Sequence, residues 1–384
     1  MALWAAEHDP QTAESVKIGI LTLPLRHNYG GILQAYALQT VIRDLGCDAH
    51  LIRLSPHLTV AERGVVHLKN AVKWLTGRTP RRCLSERALD EVVYRSTNYF
   101  IGENIKPATR IIESIGALRR LDREERYDAY VVGSDQVWRR EYTKRFERAY
   151  SVAFTKRNVV RVAYAASFGV GLNARPRDVG VSRDALQKFA YVSTREESGA
   201  AICKNVLGVD ADVVLDPTML LDRSRYEKFA AGQRDQWRGG LFEYFLDRTA
   251  VKNAVSYKIQ KSLNVPVFAL DVPNMESDAP LEALIMKPVE EWIQCFRHAS
   301  YIVTDSFHGC VFAIIFNKPF SVLPNLARGG DRFQTLLQRF ELTHRIIDAS
   351  GNPDLGPIDW GYVNSLLGLH AERSKARLAE LLQV

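Results

Sequence analysis

Short apolar runs alternate with amphipathic stretches along most of this chain. Residues 17–23 (KIGILTL) form a continuous apolar run, the pattern of a parallel strand buried on both faces. A loop over 24–30 follows. Leu33, Ala37, Leu38 and Val41 then share one side of a helix predicted over 31–45, which Gly46 stops. Residues 49–54 make a second strand. Strand, helix and strand in that order form a βαβ unit and imply a parallel sheet. Residues 55–126 read as mostly helical, polar and basic. Buried strands are expected again at 127–132 (YDAYVV) and 160–165.

The segment 172–183 carries Pro176, breaks at Asn173 and Gly180, and several charges. It reads as a surface connection near a domain boundary. The alternation then restarts. Strands are predicted at 190–193, 212–215, 241–246, 265–270, 301–304 and 320–323. Helices are predicted at 195–207, 250–263, 289–298 and 308–317, with an amphipathic helix at 370–384. The pattern predicts an α/β protein of two Rossmann-like domains facing a cleft. Residues 1–15 form a loose leader, 16–180 the first domain and 181–384 the second, with the last helix crossing back onto the first. Ligands are expected at the carboxyl ends of the strands.

The 384 residues suit two cores better than one. A charged fraction of 25% beside 46% hydrophobic residues argues against disorder. The net charge of +7 favours anionic partners. Neither a nucleic-acid motif nor an aromatic-basic stripe accompanies it, so small anions or an anionic membrane surface fit better. Cys47, Cys83, Cys203, Cys295 and Cys310 are scattered, without metal-ligand spacing, and read as reduced thiols of a cytoplasmic protein. No bound metal is expected.

Four turns carry candidate chemistry. In YIVTDSFHGCVFAIIF (301–316) a strand runs into Ser306, Phe307, His308 and Gly309 and then at once into an apolar helix. The unpaired N–H groups of such a helix start suit a phosphate or carboxylate, and His308 at its edge offers a cation or a proton. Asp305 or Ser306 serves equally well as an N-cap. The loop Asn28-Tyr29-Gly30-Gly31 allows close backbone approach without a GxGxxG fingerprint. VVGSDQVW places Ser134, Asp135 and Gln136 after a strand, as hydroxyl ligands, as acid or base, or as a helix cap. VSTREES sets Arg195 just past a strand end, for a bidentate grip on an anion or for pairing with a neighbouring glutamate. Arg328 and Arg332 follow the last strand.

These segments, with VAYAASFG and VVLDPTMLL, occur in an order that resembles the polysaccharide pyruvyl transferase family. The resemblance runs from Lys17 to Phe320. It implies a GT-B-like fold, phosphoenolpyruvate as donor, and a sugar or lipid-linked oligosaccharide acceptor that becomes a pyruvate ketal during surface-glycan synthesis. It implies no cofactor. In that family the histidine of the helix-start motif and an arginine near the start of the second domain are associated with the donor. They correspond to His308 and Arg195.

The expected assignments follow. His308 and Asp135 are catalytic. Arg195, Ser306, His308, Gly309 and Arg332 bind the donor, on the side of the second domain. Asn28, Tyr29, Gly30, Gly31, Ser134, Asp135 and Gln136 bind the acceptor, on the side of the first. Cys310 and Arg139 stand where threonine and asparagine are usual. A GT-B nucleotide-sugar glycosyltransferase and a non-catalytic glycan-binding protein are the alternatives. Finally, the basic segment 63–82 aligns Val65, Leu68, Val72 and Leu75 on one helical face, which suits shallow docking on anionic lipid as well as packing on its own domain.

Overall fold

The computed structural model describes residues 15–55, 64–65, 68, 72, 75, 86–143, 145–171, 175–230, 239–270, 273, 280–325, 329–347 and 351–382. The expected leader lies almost wholly outside these residues, as does Arg328. The first βαβ unit is β1 (Lys17–Leu21), α1 (Tyr29–Asp44) and β2 (Asp48–Ile52). The polar, basic stretch supplies α2 (Glu86–Val93), α3 (Arg95–Asn104) and α4 (Ile115–Glu125). Then come β3 (Ala129–Asp135), β4 (Val160–Ala166), β5 (Tyr191–Thr194), α5 (Glu197–Ile202) and β6 (Asp212–Val213). These six strands form one sheet in the order β2-β1-β3-β4-β5-β6, and every pair is parallel.

The second sheet uses β7 (Leu241–Tyr244), α6 (Ala250–Leu263), β8 (Val267–Ala269), α7 (Val289–His298), β9 (Tyr301–Thr304), α8 (Phe307–Ile315) and β10 (Phe320–Val322). Its order is β10-β9-β7-β8, again parallel throughout. After it come α9 (Asp331–Arg339) and α10 (Trp360–Leu382). Both sheets reverse strand order beside their first strands, the place where open α/β sheets bind ligands.

The first sheet extends beyond the boundary expected at residue 180. Ser193 and Thr194 of β5 pair with Asp212 and Val213, and β5 pairs with β4. The apolar run at 190–193 therefore completes the first sheet, and Arg195 belongs to that unit. The connection at 172–183 links two neighbouring strands of one sheet. Helix α10 returns to the first unit, packing on α1 and on the turn Pro217–Leu220. There the Arg377 guanidinium lies 5.0 Å from the Tyr191 ring centroid.

The two units meet through an aromatic cluster in a core that spans both. Tyr29 of α1 stacks on Trp292 of α7 at 5.7 Å and donates its hydroxyl to the Lys287 carbonyl at 3.0 Å. Trp292 also packs on Phe296, Phe312 and Tyr244 at 4.5, 4.7 and 5.5 Å. Its indole nitrogen has no hydrogen-bond partner among the described residues, so its contribution is packing alone. Trp292→Ala should lower unfolding stability by about 3–5 kcal/mol, the range for deleting a large buried aromatic. Trp292→Phe should cost clearly less, because no polar bond is lost; urea denaturation followed by circular dichroism compares them.

Candidate functional site

The carboxyl ends of β3 and β5, the residues after β6, and the first turn of α8 converge on one buried carboxylate, that of Asp216. Arg195 Nη1 donates to its Oδ2 at 2.9 Å and Ser134 Oγ to the same oxygen at 3.1 Å. Thr218 donates its backbone N–H and its hydroxyl to Oδ1, at 3.1 and 2.7 Å. His308 Nε2 stands 3.6 Å from Oδ2, an ion-pair separation too long for a hydrogen bond. Through Nη2, Arg195 also bonds Asp135 Oδ1 at 2.8 Å. Asp135 reaches this position with φ of 73°, held by the Gln136 N–H donating to its own side chain at 2.9 Å.

A second layer fixes the first. Ser134 N–H donates to Gln34 Oε1 at 3.0 Å. Gln34 Nε2 in turn donates to Thr22 Oγ1 at 2.9 Å, and Thr22 donates to the Ser134 carbonyl at 3.0 Å. Ser306 caps α8 by accepting the Gly309 N–H at 3.3 Å. Asp305 instead braces the next loop, taking the N–H groups of Leu246 and Asp247 and the Lys252 ammonium. Both α1 and α8 need glycine in their first turns, α1 against α8 and α8 against its own sheet. A Cβ on Gly30 would fall 2.0 Å from the His308 ring, and one on Gly309 would fall 2.3 Å from Thr304 Oγ1. Phe307 contacts two guanidinium groups, with Arg195 at 4.8 Å and Arg332 at 5.2 Å from its ring centroid.

Burial opposes charge on every group here, and partners decide which groups keep it. Asp216 is driven well below the usual carboxylate range despite its burial, by His308, Arg195 and Thr218. Asp135 is also lowered: Arg195, His308 and Arg332 together outweigh its desolvation. Desolvation works against the Arg195 charge, but Asp135, Asp216 and Glu196 overcome it. Arg332 is lowered to about 10 by burial and by Arg195. Glu196 goes the other way, raised because burial prevails over Arg195 and the hydrogen bonds it accepts. Its Oε1 accepts the Phe168 N–H at 3.3 Å. Its Oε2 has no hydrogen-bond partner among the described residues and lies 3.9 Å from Arg195 Nε, which also lacks one. Arg195 and Arg332 thus lie among Asp135, Asp216 and Glu196, with the His308 imidazole beside Asp216.

A model of the polysaccharide pyruvyl transferase family matches residues 28–326. The chain belongs to that family. No curated protein sequence matches it. Among solved structures, it is similar to the UDP-GlcNAc 2-epimerase from Neisseria meningitidis bound to UDP-GlcNAc, with 9% identity and a TM-score of 0.51 over 95% of this chain and 99% of that one. It is also similar to S. aureus MnaA solved with UDP, with 10% identity and a TM-score of 0.50 over 95% and 91%. At such identities the likeness concerns the fold: an α/β pair of Rossmann-like domains in the GT-B-like arrangement.

In this pyruvyl transferase family member the predicted residues fall into three groups. Asp135, Arg195 and His308 are brought together around Asp216, with Arg332 against the Phe307 ring. Ser306, Gly309, Gly30 and Gly31 shape the two helix starts that frame them. Gly31 donates to Asn28 Oδ1 at 3.0 Å, and Asn28 Nδ2 reaches Asp135 Oδ2 at 3.4 Å. Tyr29, Ser134 and Gln136 are tied into the protein itself. Tyr29 packs on Trp292, Ser134 bonds Asp216, and Gln136 Oε1 accepts from Arg139 at 3.1 Å. Arg139 also pairs with Glu141, at 2.8 Å.

Asp216 and Glu196 escaped the sequence reading. Asp216 looked like the stop of a strand before Pro217, and Glu196 like a surface partner of Arg195. The available signal was that each polar residue lies two or three residues beyond a strand, on the ligand side of the sheet. Because the folded pKa of Glu196 is raised, its acid form favours folding at low pH, and that advantage is lost as pH climbs through the folded value. Glu196→Gln removes this titration. Its stability relative to wild type should therefore increase as pH goes from about 5 to 9; equal pH slopes in thermal melts of the two proteins would contradict the assignment.

Proposed function

We propose that this chain transfers the enolpyruvyl-derived group of phosphoenolpyruvate to a pair of sugar hydroxyls, forming a pyruvate ketal on a surface glycan or its lipid-linked precursor. The observation that carries the proposal is the buried Arg195–Asp216–His308 array at the seam between the two units, with Arg332 and Glu196 nearby. Phosphoenolpyruvate bears a carboxylate and a phosphate on one enol carbon, so its site needs fixed positive charge in a dry setting. Arg332, Arg195 and the start of α8 supply that charge. Protonation of the methylene carbon creates an oxocarbenium-like centre. One sugar hydroxyl adds to it, phosphate leaves, and the second hydroxyl closes the ring. One hydroxyl proton balances the proton given to the methylene, and the other leaves with phosphate.

His308, whose Nε2 lies 3.6 Å from Asp216 Oδ2, holds the phosphate or supplies a proton. Glu196 is the second candidate proton source, because burial raises its pKa above the usual carboxyl value. Asp135 is a poor proton acceptor, since its depressed pKa keeps it bound to Arg195; its part is to orient that guanidinium. His308→Ala and Glu196→Gln should each lower phosphate release from phosphoenolpyruvate by about 10²–10⁴-fold with the fold intact. Arg195→Ala should abolish release. It also leaves two buried carboxylates without their partner, a loss of about 3–5 kcal/mol, so Arg195→Lys provides the folded control. Full activity in any of these variants refutes its assigned role.

The likeness to a structure holding UDP-GlcNAc keeps nucleotide-sugar chemistry as a second reading. Thermal stabilisation by UDP-GlcNAc in place of phosphoenolpyruvate would favour it, and stabilisation by glycan alone would favour a non-catalytic binding protein.

The proposed location is the cytoplasmic face of a membrane. No described helix is long and apolar enough to cross one. Val65, Leu68, Val72 and Leu75 are helical and 54, 67, 52 and 75% exposed, within a segment rich in lysine and arginine. Apart from Gly64, the other residues of 63–82 lie outside the described ones. Exposed apolar side chains in a basic segment support shallow docking on anionic lipid. Leu68→Asp with Leu75→Asp should reduce co-sedimentation with vesicles containing phosphatidylserine severalfold. Wild-type sedimentation that ignores lipid charge would eliminate docking.

A further inference from the structure

A cavity of about 320 Å³ opens beyond the carboxyl ends of β1 and β2, at the same end of the sheet as Asp135 and Arg195. Its volume lies at the lower end of the small-molecule range. The loop after β1, residues 51–55 and the junction of α2 and α3 supply its walls. None of the residues around Asp216 that carry the proposed chemistry lines it.

Arg53 sets the chemistry of this cavity. It lines the wall and directly follows β2. Its backbone is fixed on both sides: the N–H donates to Thr109 Oγ1 at 3.1 Å, and the carbonyl accepts the Ile112 N–H at 2.7 Å. Its guanidinium forms no hydrogen bond or ion pair among the described residues. Burial lowers the Arg53 pKa, and no neighbouring carboxylate opposes that shift. A cation that is partly desolvated and left unpaired is costly, and its N–H groups remain available to a ligand.

The carboxylates that share the lining are engaged elsewhere. Asp90 pairs with Arg26 at 3.3 Å, and Arg26 also donates to Ser55 Oγ at 2.7 Å. Glu91 and Glu113 have partners of their own, and neither pairs with Arg53. The charge left to be answered in the lining is therefore positive. Asn98 adds an amide, Tyr94 an aromatic ring, and Leu25 and Ile111 apolar surface. That mixture suits the two faces of a sugar ring, and the planar guanidinium suits an oxyanion gripped by two N–H groups. The cavity also adjoins the array. Thr22 lines it and donates to the Ser134 carbonyl at 3.0 Å, and Ser134 donates to Asp216 at 3.1 Å.

We propose that this cavity is a second anion site, separate from the Asp216 array, in which Arg53 grips the oxyanion of a sugar that carries its own negative charge. A phosphate ester and a hexuronate carboxylate share that chemistry. The site's role as an anchor for the acceptor rests on the pyruvyl-transfer reading; its preference for an anion rests on Arg53 and the cavity alone. It narrows the acceptor from any saccharide to one that is already anionic, so ketal formation comes after the step that installs the charge.

The full chain is titrated calorimetrically with α-galactose 1-phosphate, methyl β-glucuronide and methyl β-galactoside, and assayed in parallel for phosphate release from phosphoenolpyruvate. At least one of the two anionic sugars should bind more tightly than the neutral galactoside, and which one does identifies the oxyanion. Arg53→Gln should weaken that binding by about tenfold or more, the worth of a hydrogen bond to a charged group. The melting temperature of Arg53→Gln should not fall, because the lost charge has no partner in the protein. Arg53→Lys, which keeps the charge, should retain part of the binding, and Arg195→Lys, altered at the array, should retain all of it. In the release assay Arg53→Gln should raise the KM of the anionic saccharide and leave that of phosphoenolpyruvate unchanged. Equal affinity for the neutral galactoside, no binding of either anionic sugar, wild-type binding by Arg53→Gln, or loss of binding in Arg195→Lys overturns the site. Binding that depends on Arg53, in a protein that never releases phosphate from phosphoenolpyruvate, supports the anion site and defeats the transfer reading instead.

Discussion

One buried carboxylate organises the seam between the two units. Asp216 sits in a place where an ionised group is costly unless surrounded by donors, and four residues answer it: Arg195, Ser134, Thr218 and His308. These residues come from β3, β5, the turn after β6 and α8, so the requirement to satisfy one charge ties both units of the protein to a single point. The same requirement sets the chemistry. Arg195 cannot swing away without exposing two acids, and His308 meets its counter-charge only when the second unit is docked on the first.

Docking has a separate, apolar cause. Tyr29 and Trp292 belong to different units, and around Trp292 the rings of Phe296, Phe312 and Tyr244 exclude water. The hydrophobic contact provides non-directional attraction, while the ionic array provides direction. The division is a sensible one, since buried ion pairs add little net stability but penalise misalignment heavily. The packing of α10 on the first unit closes the chain on itself and adds a second physical link between the units.

Much of this arrangement was legible along the chain, because buried parallel strands and their following helices leave strong local signatures. β9, α7 and α6 lie at the residues the apolar pattern predicts. The domain boundary was not legible. A strand looks the same whether it finishes one sheet or begins another, and pairing partners are non-local. The site divided along similar lines. His308, Asp135 and Arg195 stand at strand ends with obvious chemistry. Asp216 and Glu196 were hidden by company: beside Pro217 and Arg195 each had a sufficient local explanation, and only three-dimensional proximity shows the shared charge problem. Ser134 and Tyr29 show the opposite case, their hydroxyl groups donating within the fold.

The contact of Gly30 with His308 has a wider consequence. Along the chain these residues belong to two motifs that look independent, one near each end. In space they are a single steric unit, since the imidazole occupies the volume that any side chain at position 30 would claim. A chain that changed one partner would have to change the other, or reshape the seam between its halves. The pair therefore works as a signature of shape for judging distant relatives: a histidine at the start of α8 makes sense there only opposite a residue that leaves it room.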